Sequence, residues 1–76
     1  MQMSKVLDAK GLNFPLPVLK TRKALAGVPL GDCLTVYATD PASRIDFRHF
    51  CNLSGHELVE ASESAGVFTY VIRRTR

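Results

Sequence analysis

The side chains in this sequence best suited to nucleophilic, proton-transfer or soft-metal chemistry are two thiols, Cys33 and Cys51, and two imidazoles, His49 and His56. His49, Cys51 and His56 lack the second close pair that a tetrahedral zinc site requires, so no metal is expected. No Ser-His-Asp pattern and no glycine-rich phosphate loop accompanies them, and a chain this short is not expected to be an enzyme with its own substrate pocket. The two cysteines fall in different predicted elements, without paired-motif spacing and without the density of a secreted disulfide scaffold, so both are taken as reduced.

Neither thiol has a setting that would activate it. Cys51 shares a helical face with Phe47 and Phe50, which makes it an inert core residue. Cys33 begins a strand and alternates with the Leu34 face, so it can be exposed on the sheet. The place where a thiolate would be stabilised lies elsewhere, in Gly11-Leu12-Asn13-Phe14-Pro15-Leu16-Pro17, a turn that leads into a helix with two prolines in its first turn. Fixed φ at Pro15 and Pro17 presets the backbone and holds the side chain at position 14 by the positive end of the helix dipole, where a thiol would have a lowered pKa. The residue there is Phe14. It has two readings, an exposed aromatic anchor for a partner or a ring folded onto Leu12 and the first helix as extra core. Asn13 is expected to cap the helix in place of the poorly capping Phe14.

The elements that position these residues follow from periodicity. Val6-Leu7 marks a brief first strand. A helix runs from Pro15 to Ala26 with Gly27 as its stop; Val18, Thr21, Leu25 and Val28 lie near its core side, and Lys20 and Lys23 point elsewhere. Leu34, Val36 and Ala38 alternate with Cys33, Thr35 and Tyr37 in a strand after the Gly31-Asp32 turn. Asp40-Pro41-Ala42-Ser43 opens a second helix, capped by Ser43 or Asp40, with Phe47, Phe50, Cys51 and Ser54 on one face and Gly55 at its left-handed end. Leu58-Val59 and Val67 to Ile72 read as two antiparallel strands joined by Glu63-Ser64-Ala65-Gly66. The order β-α-β-α-β-β predicts an α+β fold, a two-layer α/β sandwich with a four-stranded mixed sheet and two helices on one face, spanning residues 1–76 as one domain. The tail Arg73-Arg74-Thr75-Arg76 reads as a solvated end.

The wording of the chain also resembles a known family. Leu7-Asp8-Ala9-Lys10-Gly11-Leu12, then Pro15 through Leu25, then Asp40-Pro41-Ala42, Asp46-Phe47, Phe50-Cys51, Gly55-His56-Glu57-Leu58 and Tyr70-Val71-Ile72-Arg73 are similar to the TusA/SirA family of small sulfur-carrier proteins. The resemblance covers nearly the whole chain. It implies the same βαβαββ sandwich and a place in sulfur relays that feed tRNA thiolation, molybdenum-cofactor assembly or sulfur oxidation. In that family a cysteine just before Pro-x-Pro takes a persulfide from a donor such as a cysteine desulfurase. The aligned position here is Phe14, and a phenyl ring cannot carry sulfane sulfur. The implied partner surface comprises Lys10, Asn13, Phe14, Pro15, Leu16, Pro17 and Lys20, facing a cysteine desulfurase or a downstream acceptor, with no cofactor. Whether the chain is an enzyme is left open by the loss of the nucleophile.

Three functions follow: a relay-family member that binds or regulates without transferring persulfide, an active sulfur carrier using Cys33 or Cys51, or an RNA-binding module. The third rests on the likeness of this topology to the C-terminal domain of translation initiation factor three. It also draws on the net charge of +3, from ten Lys and Arg against seven Asp and Glu. The sequence lacks the basic-aromatic pattern of single-strand readers. Apolar runs are far shorter than the roughly 20 residues that cross a bilayer, and no signal-peptide h-region follows Met1, so a cytoplasmic protein without membrane partners is expected.

Overall fold

The computed structural model describes residues 5–76. Its elements run β1 (Lys5–Ala9), α1 (Leu16–Leu25), β2 (Cys33–Ala38), α2 (Ser43–Ser54), β3 (Glu57–Ser64) and β4 (Val67–Arg73). The sheet order is β1-β2-β4-β3, with β1 parallel to β2 and the other pairs antiparallel. This is the expected mixed sheet, and both helices pack against it.

Alternation in β2 decides which face they cover. Leu34, Val36 and Ala38 stand opposite Ile72, Tyr70 and Phe68 of β4, and these six line the helix side, with the first five buried. Phe47 and Cys51 of α2, Leu25 of α1, and Val28 complete the core with Ala9. The opposite side of the sheet presents Cys33, Thr35 and Tyr37 half-buried, with no layer above them among the described residues.

Several local details differ from the sequence expectation. The buried stripe of α1 is Pro17, Thr21 and Leu25, at i, i+4 and i+8, while Val18 is only half-buried. Thr21 is fully buried, and its hydroxyl has no hydrogen-bond partner among the described residues. Ser43 does not cap α2. It is buried, and its Oγ lies 2.7 Å from the Tyr70 hydroxyl, a bond that satisfies two polar groups in the core. Gly55 does close α2 in the left-handed region, at φ 83°.

The last hairpin is tighter than expected. β3 extends to Ser64, and Ala65 (φ 51°) and Gly66 (φ 81°) alone make the turn, both at the positive φ that a two-residue turn of type I′ requires. The run Glu60-Ala61-Ser62-Glu63 hid this strand because it is an edge strand exposed along most of its length, where backbone pairing rather than apolar alternation sets the structure. The tail is also more than a solvated end: Arg74 donates from Nη1 to the Val28 carbonyl at 2.7 Å and to that of Ala26 at 3.3 Å, fastening β4 to the exit of α1.

Candidate functional site at the start of the first helix

The loop from Gly11 to Pro15 is held by its backbone. Gly11 adopts φ 82° and donates its N–H to Thr39 Oγ1 at 2.9 Å, and the Leu12 N–H reaches the Ala9 carbonyl at 3.2 Å. The Phe14 N–H donates to Asp40 Oδ2 at 2.8 Å, while Oδ1 of the same carboxylate accepts from the Ala42 N–H at 3.1 Å. One side chain from the β2–α2 loop therefore fixes the approach to both helices. The Phe14–Pro15 peptide is cis.

Pro15 occupies the N-cap position of α1, and no side chain caps the helix. Asn13 contributes through its backbone instead, its carbonyl accepting the Leu16 N–H at 2.9 Å. The expected Asn13 side-chain cap is thus corrected: the cap position has moved two residues on, and the first-turn proline at position 17 leaves fewer N–H groups to satisfy.

Between the two readings of Phe14 the structure selects the exposed one. The residue is 64% exposed, whereas Leu12 turns inward against the core. Phe14, Pro15, Val18 and Leu19 form one wall of an apolar groove of about 200 Å³, and Phe50 and Leu53 of α2 face them. Asp46 and His49 supply its polar edge. Leu16, half exposed, and Leu53, 76% exposed, extend this apolar surface beyond the groove. Carrying so much exposed hydrocarbon on so small a protein is a feature of surfaces that meet a partner.

The other residues singled out in the sequence scatter around this groove. Pro17 is buried and serves packing. Lys20 is exposed on α1 but does not line the groove. Lys10 lies to the other side of the loop, its Nζ 5.9 Å from the centre of the Tyr37 ring. The contribution of α2, through Asp46, His49, Phe50 and Leu53, was missed; the signal for it was a second stripe at i, i+3, i+4 and i+7 beside the core stripe.

The thiols lie apart from the site. Cys51 is 5% exposed in the core, and burial pushes its thiol up to about 11, which opposes formation of a nucleophilic thiolate. Cys33 is half-buried at the start of β2, and both cysteines are free. His56 is turned to a structural role. Its Nδ1 accepts the Thr75 N–H at 3.2 Å, and burial, then the charges of Arg74 and Arg76, push the imidazole below its ordinary value. Among the described residues no three His, Cys, Asp or Glu side chains gather into a set that could hold a metal ion. Among the described residues no helix is long and apolar enough to cross a membrane.

Comparison with known proteins gives a consistent result. The family model described as sulfurtransferase TusA matches residues 5–74. A protein of Neisseria meningitidis serogroup A, provisionally named a sulfur carrier, is 51% identical over 70 residues, covering 92% of this chain and 95% of that protein. The sulfur carrier protein TusA of Pseudomonas putida is 48% identical over 69 residues, covering 91% and 86% respectively. Among solved structures, a SirA-like protein from Desulfitobacterium hafniense superposes with a TM-score of 0.81 at 28% identity, covering 97% of this chain and all of the other.

Proposed function

Because the chain belongs to the TusA family of sulfur-carrier proteins, we propose that it serves a sulfur relay by binding or regulating a protein partner and carries no persulfide on its own side chains. One observation carries this reading: Phe14, directly before Pro15-Leu16-Pro17, stands where the family resemblance places the persulfide cysteine, and its ring is exposed over an apolar groove. A phenyl ring offers no atom to attack sulfane sulfur. It does offer a rigid apolar surface whose burial in a partner contributes on the order of 1.5–3 kcal/mol.

The partner is a protein of the relay, a cysteine desulfurase or a downstream acceptor, met in the cytoplasm by residues 1–76 acting as one unit. Phe14, Pro15 and Leu16 meet it directly, with Asn13, Lys10 and Lys20 on the surrounding surface. Support for the alternative carrier is weaker at both thiols. Cys51 is buried with a raised pKa, and Cys33 sits on a strand rather than at a helix N-terminus.

The test is intact-mass analysis after incubation with a cysteine desulfurase and cysteine. The wild type is expected to gain no reducible sulfur atom, and Phe14→Cys to gain one under the same conditions. A gain on the wild type that disappears in Cys33→Ser or Cys51→Ser would overturn the proposal and identify the carrier thiol.

A further inference from the structure

A second hollow, of about 190 Å³, lies between α2 and the β3–β4 hairpin, bordered by Arg44, Arg48, Leu58, Ser62, Phe68 and Tyr70. At 100° per residue, Arg44 and Arg48 project from the flank of α2 opposite Asp46, His49, Phe50 and Leu53, so this hollow is separate from the apolar groove. The same two arginines also border an adjoining recess with Pro41 and Ile45. Both are exposed.

Their placement works against the helix that carries them. Arg44 lies in the first turn of α2, where the helix dipole disfavours a cation, and Arg48 follows at i+4, where like charges repel. Among the described residues no carboxylate lies within 4 Å of either guanidinium, the only side-chain ion pair at that distance joining Arg73 to Glu57. Glu63 borders the hollow and keeps its negative charge at the hairpin end, where its Oε2 accepts the Gly66 N–H at 2.9 Å instead of pairing with an arginine. An anion between the two guanidiniums would remove both penalties. The floor is of different character. Phe68 and Tyr70 lie with their ring planes 10° apart and their centroids at 6.4 Å, beside Leu58, and Ser62 presents a hydroxyl at the rim. Burial pushes the Tyr70 phenol up, the Ser43 hydrogen bond and the charge of Arg44 pull it down, and the charges of Asp46 and Asp40 push it up, so the Arg44 field reaches this floor together with those of two carboxylates.

We propose that this cleft binds a phosphate monoester carried on a flat apolar ring system, the chemistry of a nucleoside monophosphate, with Arg44 and Arg48 on the phosphate and the Phe68 side of the floor against the ring. Paired guanidiniums match phosphate oxygens in a way that lysines do not. The inference is independent of the sulfur-relay reading, since it uses none of the groove residues. Free nucleotides and the 5′ end of a nucleic acid share this chemistry.

Amide chemical-shift titration of the full chain tests it, with adenosine 5′-monophosphate, inorganic phosphate and a 5′-phosphorylated single-stranded RNA decamer as probes. The monophosphate is expected to shift the amides of residues 44–48 and 61–63 and to bind at least tenfold more tightly than inorganic phosphate. Arg44→Gln with Arg48→Gln, both exposed changes, should weaken it at least tenfold with the remaining spectrum unchanged. An RNA decamer that binds the same amides more tightly than the monophosphate would identify a nucleic-acid end as the source, and equal or weaker binding a free nucleotide. Absence of shifts at these residues, binding that survives the double substitution, or RNA binding spread over Lys20 and Lys23 without a response to the monophosphate would overturn the proposal.

Discussion

The two helices begin beside one another over the same sheet, and both beginnings depend on Asp40, yet they are finished in opposite ways. The first turn of α2 is locked inward: Ser43 is buried against Tyr70, and one turn later Phe47 stacks on the Tyr70 ring at 4.4 Å with the planes 8° apart. The start of α1 faces outward, with Asn13, Phe14, Pro15 and Leu16 all exposed and hydrogen-bonded through their backbones. The difference separates two tasks. The second start anchors the core, and the first presents a side chain whose identity the core does not sense. A reactive thiol or an inert ring can therefore occupy position 14 on the same scaffold.

The strongest way to sharpen this contrast is to damage the anchored start. Phe47→Ala removes a fully buried ring and its stacking partner's support, and is expected to cost about 3–5 kcal/mol. A chain of this length has a total stability of roughly 4–11 kcal/mol at typical values per residue, so much of the fold's margin disappears. The urea midpoint measures it. A loss below about 1 kcal/mol would mean that the core does not hinge on α2, and the contrast between the two starts would fail.

Asp40 tests what the two starts share. Asp40→Ala deletes acceptors for the Phe14 and Ala42 N–H groups together and is expected to cost about 1–2 kcal/mol, the scale of losing a helix-start acceptor. Hydrogen exchange should rise at the Phe14 amide as well as at Ala42. Faster exchange at Ala42 alone would show that the α1 start is positioned without Asp40. In that case, the coupling between the two beginnings drawn from the geometry would be wrong.

How much of this was legible from residues alone depends on which kind of signal each element carries. β2 and the hairpin partner β4 were read correctly because their buried faces alternate, and α2 because its apolar residues recur at helical spacing and Gly55 ends it. β3 was read too short, since Glu60 to Ser64 is an edge whose structure comes from backbone pairing to β4. The site divided in the same way. Proline spacing marked the rigid start at Pro15 and Pro17, but the exposure of Phe14 depends on Asp40, 26 residues away, and local sequence carries no record of that bond. The groove likewise needs α2 to lie against α1, so its second wall was visible only as an unassigned stripe. Asn13 illustrates the limit most simply: its type suits a cap, but the helix starts beyond its reach.

The smallest expected effect on stability is the most informative about function. Phe14→Ser replaces a ring that is mostly in solvent and keeps the backbone N–H that bonds Asp40, so stability should change by no more than about 0.5 kcal/mol. If Phe14 is the partner anchor, the same substitution should weaken binding to a cysteine desulfurase or acceptor tenfold or more, about 1.4 kcal/mol, by removing the apolar surface that the partner buries. The two readouts, denaturation and affinity, should thus part company at this position as they would not at Phe47. A stability loss of 2 kcal/mol or more would place Phe14 in the core after all. Unchanged affinity with unchanged stability would remove the ring from the interface and leave the rest of the groove walls, Val18 and Phe50 among them, as the surface to which a partner must bind.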